Sequence, residues 1–140
     1  MCTGQVVTPL FLALMWATCE TASAEEWRFY TRSEFGLYEY NAEDIRHLSQ
    51  DHLVRVRQKM VLSQRGKTNL VRELGQGYAN VKELIIWREI DCTGKKSRIL
   101  ELIYYSENGE VINRESYEPI GRDAIIPDSV DDILYQVVCE

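Results

Sequence analysis

The pair Cys92 and Cys139 constrains this chain more than any other feature, because a bond between them would fasten its last turn to its middle. The sequence holds four cysteines, and they divide two and two. Cys2 and Cys19 lie in an apolar leader, whereas Cys92 and Cys139 lie in the polar body that follows. In an exported protein, two cysteines suggest one disulfide. Closing a loop of this length stabilises a fold by about 4 kcal/mol in the chain-entropy model, less any strain. The alternative is two free, buried thiols.

The leader sets the compartment. Val6 to Ala17 reads VVTPLFLALMWA, twelve residues without a charge. A bilayer-spanning helix needs roughly 20 apolar residues, so this run suits the core of a secretory signal instead. Ala22-Ser23-Ala24 supplies the small-x-small pattern that a signal peptidase accepts. Residues 1–24 are therefore expected to be removed, leaving 25–140 as a single domain of 116 residues (140 less 24). Met1 to Gln5 lacks the usual Lys or Arg. Cys19 offers a rival reading as a lipid acylation site, but Trp16 and Thr18 stand where such sites want Leu and a small residue, which favours cleavage after Ala24. The protein is then periplasmic or secreted, or an outer-membrane lipoprotein if Cys19 is acylated.

Charge excludes one class of partner. Sixteen Lys and Arg face 22 Asp and Glu, a net charge of −6, or −5 once Glu20 leaves with the leader. An acidic chain is a poor general nucleic-acid binder. No second apolar run approaches spanning length, so no integral membrane segment is expected after cleavage.

The body reads as strands. Trp27–Arg32 and Leu37–Tyr40, separated by Ser33–Gly36, predict a hairpin. Asn41–Gln50 reads as irregular, pinned by Ile45 and Leu48. Leu53–Leu62 alternates, with Val54, Val56, Met60 and Leu62 on one side and Arg55, Arg57 and Lys59 on the other, which predicts a strand with one buried face. Gln64–Gly77 reads as a long connection with a short helical turn over Thr68–Leu74. Leu84–Cys92 and Ser97–Ser106 are the strongest strand candidates, turning through Thr93-Gly94-Lys95. Asn108-Gly109 predicts a type I′ hairpin into a strand over Glu110–Tyr117. The result is an α+β fold: about six mostly antiparallel strands and a C-terminal helix.

That helix follows from Val130, Ile133, Leu134 and Val137, spaced i, i+3, i+4, i+7. Ser129 or Asp128 would cap it, with Asp131 and Asp132 in its first turn. Cys92 shares a strand face with Ile90, Ile86 and Leu84, so a Cys92–Cys139 bond lays the helix on that face. Arg88 interrupts the same face and implies a bulge or a side chain that snorkels outward.

No pattern nominates an enzyme, a metal or a cofactor. His47 and His52 flank Asp51, but His-x₄-His is a weak ligand spacing and reads as a solvated loop. Asp128, Asp131 and Asp132 lack the spacing of a calcium loop and are accounted for by capping. Gly75-Gln76-Gly77 has neither the preceding apolar strand nor the following Lys-Ser/Thr of a phosphate loop. There is no Gly-x-Ser-x-Gly nucleophile motif.

The informative surface is the sheet face opposite the helix. Alternation places Arg55, Arg57 and Lys59 there, with Ile85, Trp87, Glu89 and Asp91, then Ile99, Glu101, Ile103 and Tyr105. Cross-strand ion pairs account for the charges. The apolar members argue for a partner or a cover, the cover being either Gln64–Gly77 or the N-terminal segment. Arg55, Arg57, Lys59, Trp87, Ile103 and Tyr105 are the candidate partner-binding residues.

Several motifs together resemble a known family. They are the leader, the Trp27 opening, Leu37-Tyr38-Glu39-Tyr40 before a polar stretch ending in Ile45, and Asp91-Cys92 before a basic turn. Tyr104-Tyr105 before Asn108-Gly109, and Ile126-Pro127-Asp128-Ser129 running to Val138-Cys139, complete the set. The chain resembles the surface-adhesin protein E-like family of small exported bacterial domains. The resemblance implies a six-stranded antiparallel sheet whose C-terminal helix is tied on by a disulfide. It also implies a protein-binding role, since the namesake is an outer-surface lipoprotein that binds host matrix proteins and can dimerise. No matrix-binding segment aligns, so no binding residue is carried over. The expected function is a non-enzymatic, adhesin-like module that binds a protein partner and can homodimerise. A periplasmic accessory subunit or inhibitor is the alternative, and an unrecognised periplasmic enzyme a third reading.

Overall fold

Two long strands define the frame. In β4 (Leu53–Leu62) and β5 (Val81–Asp91), pairing runs without interruption from Leu53 opposite Asp91 to Val61 opposite Glu83. Their even-numbered residues therefore share one face and their odd-numbered residues the other. The computed structural model describes residues 25–48, 52–118 and 120–140. The expected leader, Cys2 and Cys19 among it, lies outside the described residues, as does Asp51.

Around this pair the sheet grows on both sides. The hairpin β1 (Trp27–Ser33) and β2 (Gly36–Asn41) adds through β2 to β4. On the other side come β6 (Lys96–Ser106) and β7 (Val111–Ser116), giving the antiparallel order β1-β2-β4-β5-β6-β7. Two short strands were not foreseen: β3 (Arg46–His47) on β4, and β8 (Asp123–Ala124) on β6. The Asn108-Gly109 turn forms, but not as type I′. Only Gly109 has positive φ, 82°, and Ser106 N–H bonds the Glu110 carbonyl, enclosing a three-residue loop with glycine in the left-handed position.

The even face is buried under both helices. α2 (Val130–Cys139) places Leu134 and Val138 against Val54, Val56 and Ile90. Each such side chain fully withdrawn from water contributes about 1.5–3 kcal/mol. The Cys92–Cys139 disulfide forms, with Cα atoms 5.6 Å apart, and the Tyr135 hydroxyl donates to the Cys92 carbonyl at 2.8 Å beside it. Ser129 caps the helix by accepting from Asp132 N–H, while the Asp132 carboxylate accepts from Asp128 N–H at 2.8 Å. The Asp128 N–H first, with Lys95 beside it, holds the Asp132 carboxyl below its ordinary range against the opposing effect of burial.

The connection after β4 departs from expectation. It is an eleven-residue helix, α1 (Gln64–Leu74), followed by a 3₁₀ turn at Gln76–Tyr78. Ser63 caps α1 through Gly66 N–H and also donates to the Glu34 carbonyl, stitching the helix start to the β1–β2 turn. Gly66 is required there, because a methyl group would overlap the Phe35 carbonyl oxygen. Leu70 and Tyr78 pack onto the second core cluster, Val81, Leu84, Ile86 and Tyr104. The segment thus covers the even face, as α2 does, and not the opposite one.

Arg88 neither snorkels nor leaves the even face. A register shift does fall beside it, but the extra residue is Leu100 on β6: Trp87 pairs with Glu101 and Arg88 with Ile99. Arg88 stays buried, 8% exposed, donating to Gln58, Ser97 and Asp131. The same bulge turns Ile99 into the second core cluster, which corrects its expected place on the opposite face.

Candidate functional site

Neither helix packs on the odd face, and its charged side chains are organised into a stack. The Arg46 guanidinium lies 5.1 Å from the centre of the Trp87 ring and Arg57 lies 5.5 Å from the same ring. Arg57 also sits 5.6 Å from Trp27, on whose ring Lys59 Nζ rests at 4.2 Å. Cation and indole therefore alternate as Arg46, Trp87, Arg57, Trp27, Lys59. Each such contact is worth about 0.5–1 kcal/mol at an exposed site and more when desolvated. Here β4 supplies Arg57 and Lys59, while β5, β3 and β1 each add one residue.

Carboxylates tie the stack down. Asp44 reaches Arg46 at 3.1 Å and Arg57 at 3.3 Å, Glu25 reaches Arg57 at 2.8 Å, and Glu39 reaches Lys59 at 3.9 Å. The Glu25 carboxyl is held below its ordinary range chiefly by the hydrogen bond from Arg57. Glu101 pairs with Arg114 from β7. Of the expected cross-strand pairs from the Arg row to β5 and β6, Arg55 to Glu89 forms, whereas Arg57 and Lys59 find their carboxylates on the N-terminal side, in Glu25, Asp44 and Glu39.

At one end sits an unusual buried anion. Glu89 is 1% exposed and its carboxylate is shared by Arg55 at 3.0 Å, Arg98 at 2.7 Å and Arg122 at 2.7 Å. Burial pushes this carboxyl upward, but the hydrogen bonds from Arg122 and Arg55 and the charge of Arg98 outweigh it, so it titrates below the ordinary range. A carboxylate accepting from several guanidiniums is well ordered, and it keeps the arginines in fixed poses.

Beside it lies a depression of about 210 Å³ lined by Arg46, Arg55, Trp87, Leu100 and Glu101. The β6 bulge is what presents Leu100 to it. Larger hollows exist, including one of about 420 Å³ among Gly77, Asn80 and the Ser106–Glu110 loop, but they gather no comparable set of cations and aromatics. Among the described residues, no three His, Cys, Asp or Glu are placed to hold a metal ion.

The candidate residues divide. Arg55, Arg57, Lys59 and Trp87 come together in the stack and the arginine cluster. Tyr105 lies on the same face, opposite Glu83 and beyond the stack. Ile103 is only 5% exposed and lies beneath the surface with Ile85 rather than on it. Sequence reasoning missed Trp27, Arg46, Arg98 and Arg122. Trp27 carried a signal, since it opens the expected N-terminal hairpin, which joins β4 through β2; Arg122, from the irregular stretch before β8, carried none. Gln64–Gly77 does not cover this face; the N-terminal segment contributes Trp27 and Glu25 to it.

The family model described as surface-adhesin protein E matches residues 27–140. A solved structure of Haemophilus influenzae protein E aligns at a TM-score of 0.50 with 16% identity, over 78% of this chain and 86% of that one. A second crystal form of the same protein aligns at 0.50 with 14% identity, over 78% and 89%. The sequence matches no curated protein.

Proposed function

The chain belongs to the surface-adhesin protein E family, and from that premise we propose that it is an exported, adhesin-like module that holds a protein partner on the odd face of its sheet. The observation that carries this reading is the alternating stack of Trp27 and Trp87 with Arg46, Arg57 and Lys59, left bare by both helices. Tryptophan and arginine dominate binding energy where proteins meet. Here they are held in place by one another and by Asp44 and Glu25. Little side-chain freedom is then lost when a partner arrives, which is where much of the cost of association arises. Arg55, Arg57, Lys59 and Trp87 form the contact surface, Tyr105 its margin, and Ile103 its packing support.

The test is affinity capture. The protein, expressed with its own leader in an exporting host, serves as bait against matrix extract and against bacterial envelope extract in parallel. Trp87→Ala is expected to lose the captured partner while remaining folded, its urea midpoint lowered only by the two cation–π contacts and the half-buried ring surface it gives up. A variant that keeps every partner would show that the face is wrongly chosen. A partner found only in the envelope extract would make the protein an accessory subunit instead of an adhesin.

A further inference from the structure

Resting on that reading of the face, we infer that the depression between Arg46, Arg55 and Trp87 receives a carboxylate side chain from an acidic segment of the partner polypeptide. An apolar neighbour of that carboxylate lies against Trp87 and Leu100.

The first support is an opposition of like charges. Arg46 and Arg55 are directly opposite each other in the β3–β4 ladder. Like charges in that relation destabilise a strand pair. Their side chains are 62% and 42% exposed, so both guanidiniums meet solvent at the rim of the depression. Neither charge is answered by a carboxylate of its own. Arg46 shares Asp44 with Arg57, and Arg55 shares Glu89 with Arg98 and Arg122. Among the described residues, the hydrogen bonds of both use Nε alone. Their terminal nitrogens are the pieces of a bidentate carboxylate clamp.

The second support is the floor. Trp87 and the bulged Leu100 are apolar, and Glu101, the one anion of the lining, is engaged by Arg114. A space of about 210 Å³ suits one side chain, not a folded ligand. The surrounding charge pattern chooses between polyanions. Glu25, Glu39 and Asp44 alternate with the cations along the face, so a sulfated polysaccharide would meet a carboxylate at every step. A peptide can place one carboxylate at the depression and neutral groups elsewhere.

The experiment follows the Trp87 indole N–H resonance of the protein during titration with three probes. These are a capped hexapeptide alternating Glu and Leu, the same peptide with Gln for Glu, and heparin. The Glu peptide is expected to shift the resonance saturably, and to bind more weakly as salt rises. The Gln peptide is expected to bind about tenfold more weakly, the loss of roughly one charge-assisted clamp. Arg46→Gln, at an exposed position that leaves Glu89 untouched, should weaken the Glu peptide about fivefold, and Arg46→Glu should abolish its binding. Equal binding of the two peptides, or no effect of Arg46→Gln, overturns the inference. So does a shift by heparin alone, which would make the ligand a polysaccharide. Capture dependent on Trp87 together with an inert Glu peptide would remove the acidic segment and keep the face; capture indifferent to Trp87 would remove the face itself.

Discussion

Arg88 and Glu89 are neighbours in the chain, both are buried, and they face opposite ways. Arg88 is under α2, where it finds the neutral Gln58 and Ser97 and one carboxylate, Asp131. Glu89 is on the bare face, where three arginines compete for it. The covered face holds its ion with a minimum of charge and is sealed by apolar packing. The bare face buries an anion under a surplus of cations, and that surplus reaches solvent. One face is built to be closed and the other to remain charged, and substitutions should separate them.

The largest effect belongs to the covered face. Replacing Cys92 and Cys139 together by Ser removes the cross-link and should lower stability by about 4 kcal/mol, read from urea unfolding. Amide exchange should then rise first in α2, while the Trp87 indole resonance stays in place. Disturbance of Trp87 by the same change would break the separation of the two faces.

Glu89→Gln should come next, at about 3 kcal/mol, because it leaves three guanidiniums without their shared anion. They are partly hydrated, with side-chain exposures of 42%, 17% and 26%, which keeps the loss at the lower end of what a broken buried pair costs. The pH profile carries the same information. Glu89 titrates lower in the folded chain than in the unfolded one, so its contribution is present above the ordinary carboxylate range. That contribution is lost as the pH falls through the depressed folded value. Glu89→Gln should therefore flatten the acid limb of the stability curve as well as lower its plateau.

Arg88→Met should cost less, about 1–2 kcal/mol. An apolar chain of similar length can fill the space, and Asp131, 37% exposed, can return to water. Gln58 keeps the hydrogen bond from its amide nitrogen to Tyr30, while its carbonyl and the Ser97 hydroxyl lose Arg88 as donor, and that loss is the main part of the penalty. A penalty for Arg88→Met above that of Glu89→Gln would reverse the comparison.

These contrasts were legible only in part. Period-two alternation exposed β4, β5 and most of β6, because a sheet covered on one side writes its faces into the sequence. It failed at Ile99, since the bulge at Leu100 puts the residues before it on the opposite alternation from Glu101, Ile103 and Tyr105 after it, and depends on how the partner strand pairs. It failed also for α1, a largely polar helix whose register rests on Gly66 meeting Phe35, a contact with no local signal. The stack and the arginine cluster on Glu89 were half visible. Arg57, Lys59 and Trp87 belong to strands that alternate, but Arg46 sits on a two-residue strand and Arg122 in an irregular stretch, and only the fold brings them near.

The smallest effect tests what holds the bare face in order. Trp27→Leu removes the one indole that Arg57 and Lys59 share, leaving Trp87 between Arg46 and Arg57. Two partly solvated cation–π contacts predict a loss of only about 1 kcal/mol, offset in part by the leucine that replaces them. The more telling measurement is the motion of the two cations. Lys59 retains Glu39 at 3.9 Å, a loose pair, whereas Arg57 retains Asp44 and Glu25. The Lys59 Nζ should therefore gain mobility by nuclear relaxation while the Arg57 guanidinium keeps its order. If both stay rigid, the carboxylates alone hold the face; if both loosen, the indole ladder is its frame, and a partner that displaced Trp27 would unfasten the whole surface at once.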